Sequence, residues 1–253
     1  MIDQDLARRV YSCIDNTTLN ATDNDASVEE FCRHTLNSTF LTPHSTLTVA
    51  AVCVYPRFVG TAARVLHGSG IRVASVAGAF PHGQQPLDLR VEEVKRVVDD
   101  GADEVDIVIS RGLLLAGEDN AVRDEVAAMK EACKGKTLKV ILETGELAPA
   151  LIQRGAELAI NGGADFIKTS TGKIGVGATL EAAEVMLNVI KNCVKFNKKL
   201  VGFKAAGGIS TPEEALGYAQ LAQKILGADY VNNQTFRIGA SRLTNKLYSL
   251  LTF

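Results

Sequence analysis

Gly-Ala-Asp-Glu-Val-Asp-Ile-Val-Ile, residues 101–109, is the stretch on which the fold turns. Its first three residues return at 163–165 and 227–229, spaced 62 and then 64 residues apart. Each copy follows a segment of helical spacing and opens a β-rich run: Glu-Val-Asp-Ile-Val-Ile, Phe-Ile-Lys-Thr-Ser, then Tyr-Val. A glycine that closes a helix and hands the chain to a buried strand explains the pattern. One further strand-like run lies inside each interval, at 138–143 and 200–204, so each interval holds two strand-plus-helix units of about 31 residues. A chain of 253 residues accommodates about eight such units.

Working outward, strands are expected at 12–17, 47–54 and 71–77, and the full set falls near 12, 48, 71, 104, 138, 165, 200 and 228, with the last helix beginning near Gly239. The helices between them carry apolar faces such as Leu180, Ala183, Leu187, Ile190 and Val194. One strand and one long helix per unit imply a parallel sheet, and eight units predict a single (β/α)8 TIM barrel across 1–253. The rival, a doubly wound open sheet, lacks support: no G-x-G-x-x-G follows the first strand and no linker is visible.

Composition narrows the function. Lys and Arg number 27 against 29 Asp and Glu, a net charge of −2 that leaves no electrostatic footprint for nucleic acid or an anionic membrane. Six prolines and 22 glycines do not suggest disorder. Cys13, Cys32, Cys53, Cys133 and Cys193 are odd in number and contain no C-x-x-C pair, which argues for a reducing compartment. Cys133 continues the apolar face Val122, Val126, Met129 and reads as core. The start of the chain has no signal-peptide segment and no stretch approaches a membrane span, so a cytoplasmic protein is expected.

Lysine inside a barrel strand is expensive unless it serves a site at the strand's end. Lys168 in Phe-Ile-Lys-Thr-Ser and Lys204 in Val-Gly-Phe-Lys-Ala occupy neighbouring strands, and Lys139 enters the strand before them. Two ammonium groups roughly 6 Å apart repel by about 3 kcal/mol at an effective dielectric near 20, which lowers a lysine by about two pH units. Desolvation adds to this and leaves the neutral amine that attack on a carbonyl requires. The pair reads as a Schiff-base lysine with its activator, against the alternative of strand ends that snorkel to water. Asp106 sits in an otherwise apolar strand and needs an interior lysine as partner, either to relay protons or as a structural ion pair. Asp103 reads as a cap, Asp15 and Glu143 as supporting carboxylates, and Cys53 as strand core or pocket wall.

Anion-binding signals follow the last three strands. Thr171-Gly172-Lys173 follows the sixth, and Gly207-Gly208 precedes Thr211-Pro212-Glu213-Glu214, which reads as N-cap, N1 proline and capping-box glutamate. Gly239-Ala240-Ser241 opens the last helix in this reading. Such loops bring amides and a helix terminus to an anion, where barrels often hold phosphate. His34, His44, His67 and His82 form no close pair, so no metal is expected.

The runs 166–172, 202–209, 101–106, 138–144, 53–58 and 80–83 resemble the deoxyribose-phosphate aldolase family, in order and over nearly the whole chain. The resemblance implies a class I aldolase that reversibly cleaves 2-deoxy-D-ribose 5-phosphate to acetaldehyde and D-glyceraldehyde 3-phosphate. It implies Lys168 as the Schiff-base residue, Lys204 as the group that lowers its pKa, and Asp106 as a proton relay. Lys173 and the loops at Gly172, Gly207, Gly208, Gly239 and Ser241 would hold the phosphate, with no cofactor or metal. The expected partner is a small phosphorylated sugar; a homodimer is admitted, nucleic acid and membrane are not. The chain departs from relatives at Ser210, where many carry arginine, and at Arg242, where some carry serine. It ends at Phe253 rather than a terminal tyrosine, with Tyr248 the nearest tyrosine, so a tail-borne proton shuttle is not expected. A transaldolase-like lysine barrel and a non-catalytic sugar-phosphate-binding barrel are the alternatives.

Overall fold

A computed structural model describes residues 3–41, 46–197 and 200–252. His44 and Phe253 lie outside the described residues. Eight strands close into a barrel: β1 (Ile14–Thr17), β2 (Ala51–Val54), β3 (Arg72–Ala77), β4 (Glu104–Val108), β5 (Thr137–Ile141), β6 (Phe166–Lys168), β7 (Gly202–Ala206) and β8 (Phe236–Ala240). Every neighbouring pair is parallel, and β1 closes the ring by pairing Asp15 with Ala51 on one side and with Gly239 on the other. A (β/α)8 barrel is therefore the fold.

The repeat reading holds where the chain is regular. Gly101, Gly163 and Gly227 all have positive φ, a backbone conformation that follows a helix without strain only at glycine. Asp103 and Asp165 accept from Val73 N and Leu138 N, so each stitches the start of its own strand to the strand before it. The third copy breaks the rule, and the expected strand near 228 is corrected. Ala228–Tyr230 is a 3-10 turn, and Tyr230 is buried with its hydroxyl donating to Val201 O at 2.8 Å. The strand begins only at Phe236, after a turn in which Thr235 N and Phe236 N donate to Asn232 O. Its run Phe-Arg-Ile-Gly-Ala is interrupted by a charge and a glycine, which hides it from a hydrophobicity reading.

Three further boundaries move. Gln4–Ser12 is a helix capped by Asp3, so β1 starts at Ile14. Thr46–Leu47 pairs antiparallel with Phe40–Leu41 in a separate ribbon, so β2 is only its last four residues. The last helix is Leu243–Thr252, and Gly239 lies inside β8 rather than opening that helix.

Side chains alternate between two unlike environments. Ile14, Val105, Ile107, Leu138, Val140, Phe203, Phe236 and Ile238 point out beneath the helices and form the main core, joined by Cys133 at the end of helix Asp119–Ala132. Inside the ring, β2 and β3 contribute a small apolar group: Ala51, Cys53, Ala74 and Val76. The other strands contribute charge. Asp15, Glu104, Asp106, Lys139, Lys204 and Arg237 are fully buried, and Lys168 is 4% exposed. Seven ionisable side chains inside one barrel persist only where they pair with one another.

Candidate active site

Asp106 is the centre of the cluster. Its Oδ2 accepts from Lys168 Nζ and from Lys204 Nζ, both at 2.7 Å, so the two nitrogens lie within twice that distance. Its Oδ1 accepts from Lys139 Nζ at 3.0 Å. Register explains the meeting: Lys168 and Lys204 are opposite residues on β6 and β7, and Asp106 is opposite Lys139 on β4 and β5. Lys139 also pairs with Asp15 at 3.0 Å and Glu104 at 2.6 Å, and Lys204 reaches Asp15 as well. Arg237 on β8 closes the network, with Nη1 on Asp15 at 2.6 Å and Nη2 on Glu104 at 2.7 Å.

The electrostatics separate the lysines. Burial pushes the Lys168 ammonium down, Asp106 pushes it back up, and Lys204 adds to the lowering; the balance is below the usual lysine range. Burial would lower Lys204 too, but Asp106 and Asp15 together hold it above that range. Lys139 is held up by Asp106, Asp15 and Glu104 against the same burial. Burial alone would raise Asp106 and Asp15, yet the surrounding cations keep both carboxyls well below the usual carboxylate range. Desolvation, more than the neighbouring ammonium that the sequence suggested, is thus the leading cause at Lys168.

Lys168 is the cluster member that reaches a cavity. About 350 Å³ of space opens above it, walled by Thr17 at the end of β1, by Leu19 and Asn20 just beyond it, and by the ends of β6, β7 and β8 with the loops that follow them. Gly172, Lys173, Gly207, Gly208, Ser210, Gly239, Ser241 and Arg242 all face it. Gly207 and Gly208 have consecutive positive φ values of 94° and 85°, a bend that only glycines make without strain. Among the described residues the amides of Gly172, Gly208 and Ser241 donate to no protein acceptor. The helix cap expected at Thr211 is present, but Glu214 accepts from the amides of Ser210 and Thr211 and so removes them from use by a ligand.

The other expected residues take distinct places. Gly239 leaves room: a Cβ there would lie 3.0 Å from Lys204 Cε and from Ala206 Cβ. Glu143 has left-handed backbone (φ 61°), and its carboxylate accepts from Thr171 N and Thr171 Oγ1, which fixes the loop after β6. Lys173 donates from Nζ to Leu19 O and ties that loop to the one after β1. Cys53 is buried on β2, its thiol pushed up to about 11 by burial and the charge of Asp106. Tyr248 stacks on Phe40 with ring centroids 4.4 Å apart and is not among the cavity-lining residues. His82 is exposed, and no group of three or more His, Cys, Asp or Glu among the described residues could hold a metal ion.

Glu104 and Arg237 escaped the sequence reading. Glu104 is two residues from Asp106 and so shares its strand face, a signal that was available. Arg237 was hidden with β8.

Charge gathered inside a closed parallel barrel, with one amine reaching a cavity at the C-terminal ends of the strands, is the arrangement of a (β/α)8-barrel enzyme. The particular family follows from comparison: the sequence model of the DeoC/LacD family aldolases matches residues 9–247, and the chain belongs to that aldolase family. Among solved structures, a Coccidioides immitis protein provisionally named deoxyribose-phosphate aldolase is 30% identical with a TM-score of 0.80, covering 94% of this chain and 85% of that one. A Toxoplasma gondii protein with the same provisional name is 25% identical, TM-score 0.83, over 98% and 93% of the two chains. A tetrameric deoxyribose phosphate aldolase from Aeropyrum pernix is 25% identical, TM-score 0.75, over 98% and 92%. No helix among the described residues is long and apolar enough to cross a membrane.

Proposed function

We propose that the chain is a class I aldolase that cleaves 2-deoxy-D-ribose 5-phosphate to acetaldehyde and D-glyceraldehyde 3-phosphate. The observation that carries the reading is the position of Lys168: an amine below the usual lysine range, on the floor of the cavity, sharing one carboxylate oxygen with a lysine that stays charged. In its neutral form the Lys168 amine attacks the aldehyde carbon. Asp106 and Lys204 carry protons to and from the carbinolamine oxygen, which leaves as water. The resulting iminium accepts the electron pair of the breaking C2–C3 bond as the C3 hydroxyl gives up its proton. Glyceraldehyde 3-phosphate departs, and the enamine left on Lys168 is protonated at C2 and hydrolysed to acetaldehyde. The amides of Gly172, Gly208 and Ser241, with Arg242, would hold the phosphate; Lys139, Asp15, Glu143 and Cys53 support the reacting groups. A soluble, cytoplasmic location fits this substrate. The resemblance to structures named for the same aldolase supports the choice of substrate.

The test is direct: incubation with 2-deoxy-D-ribose 5-phosphate is expected to release both aldehydes in equal amounts. Cleavage of other sugar phosphates alone would favour a transaldolase-like enzyme, and binding without turnover a non-catalytic barrel.

The phosphate grip makes a second expectation. Arg242 is exposed on the cavity wall and pairs with no carboxylate among the described residues, while Ser210 brings no charge. Arg242→Ala should raise KM for the phosphorylated sugar about tenfold, the scale of one charge-assisted hydrogen bond. KM for unphosphorylated deoxyribose, measured in parallel, should stay unchanged.

A further inference from the structure

The buried cluster contains more than the residues that face the cavity. Three carboxylates (Asp15, Glu104 and Asp106) meet four basic groups (Lys139, Lys168, Lys204 and Arg237), all within one connected set of ion pairs. The set balances when one base is neutral. Arg237 keeps its proton at any ordinary pH, and Lys139 contacts three carboxylates and Lys204 two. Lys168 contacts one carboxylate and alone has a path to solvent.

We propose that Glu104 and Arg237, on the far side of the barrel interior from the cavity, are positioning residues that set the charge balance of the cluster and thereby select Lys168 as the base that gives up its proton. The two touch neither Lys168 nor the cavity. They act through Asp15, which Arg237 grips, and through Lys139, which Glu104 grips. The inference rests on the Schiff-base reading and assigns a role to two groups that this reading leaves idle.

Other groups around Lys168 also carry or could carry charge. Asp106 comes from β4, Lys204 from β7 and Cys53 from β2, with Lys139 and Asp15 behind them. Glu143 lies at the end of β5 against Thr171, and Lys173 and Arg242 stand on the cavity wall. Arg72 reaches Glu104 from the partly exposed rim. Lys139 and Arg72 lose a partner when Glu104 is replaced and Asp15 loses one when Arg237 is replaced, but each keeps its own charge, so the sign of the response follows from the charge removed.

Glu104→Gln removes a negative charge and leaves four bases against two carboxylates. Lys168 then deprotonates more readily, and the acid limb of kcat/KM moves to lower pH. Arg237→Met removes a positive charge, leaves three bases against three carboxylates, and moves the limb to higher pH. Each shift should be about one pH unit, the scale of one buried charge felt through an intervening side chain. The double variant E104Q/R237M restores the balance and should return the limb to near its wild-type position, even with a lower plateau. A purely structural role would lower the plateau of both single variants without opposite shifts; same-sign or absent shifts in variants that still fold, checked by circular dichroism, would overturn the proposal. Borohydride trapping of the wild type on the Lys168 peptide is run alongside. Trapping with no opposite shifts rejects this inference alone, whereas no trapping rejects the underlying reading.

Discussion

Lys168→Met is expected to reduce turnover by at least about 10⁴-fold, the scale seen when a covalent nucleophile is removed, and to leave the fold intact. Methionine matches the lysine stem in length and lacks the amine. The cluster tolerates the loss because three carboxylates then face three remaining cations, Lys139, Lys204 and Arg237. Neither Lys204 nor Lys139 can take over: both are held above the usual lysine range, and neither lines the cavity. A thermal melt close to that of the wild type, together with lost activity, separates a chemical role from a folding role. Residual turnover within tenfold of wild type would show that another group forms the covalent bond.

Asp106→Asn carries the largest expected effect on stability. The carboxylate is the shared partner of three buried ammonium groups, and an amide returns neither its charge nor its capacity to accept from all of them. Removing one side of a buried ion-pair system costs about 3–5 kcal/mol, and for a chain of this size the melting temperature falls by roughly 6–20 °C. Activity should fall by about 10²–10⁴-fold through the lost proton relay. The sign with pH follows from the lowered carboxyl: its stabilisation is complete above the normal carboxylate range near pH 4 and is lost only as pH falls toward the folded-state value. The wild type should therefore gain stability over Asp106→Asn on going from strongly acidic to neutral buffer. Urea melts across that range measure the difference, and superimposable melts would remove Asp106 from the centre of the cluster.

How much of this was legible in the sequence depends on what each signal measures. Glycine-closed helices followed by apolar runs exposed β4 and β6 directly, because a positive φ at Gly101 and Gly163 and burial on both strand faces leave a local trace. At Gly227 the same tripeptide leads into a 3-10 turn, in which Tyr230 is buried and its hydroxyl donates to Val201 O rather than the chain starting a strand. β8 was misplaced because Arg237 and Gly239 break its apolar run: Arg237 pairs with Asp15 and Glu104, and a Cβ at Gly239 would crowd Lys204. Lys168, Lys204 and Asp106 stood out because charge inside a strand is costly. Their convergence on a single carboxylate could not be read, because it depends on registers between β4 and β5 and between β6 and β7 that no linear spacing encodes. The same holds for Glu214, whose capping of its own helix was legible but whose capture of the Ser210 amide at the cavity wall was not.

The central claim is that Lys168 forms a covalent imine with an aldehyde, and one measurement reaches it most directly. Sodium borohydride is added to the protein with acetaldehyde or 2-deoxy-D-ribose 5-phosphate, and the digest is read by peptide mass spectrometry. The account predicts a single reduced adduct on the peptide containing Lys168, absent in Lys168→Met. An unmodified Lys168 peptide, or an adduct carried instead on Lys204 or Lys139, would contradict it.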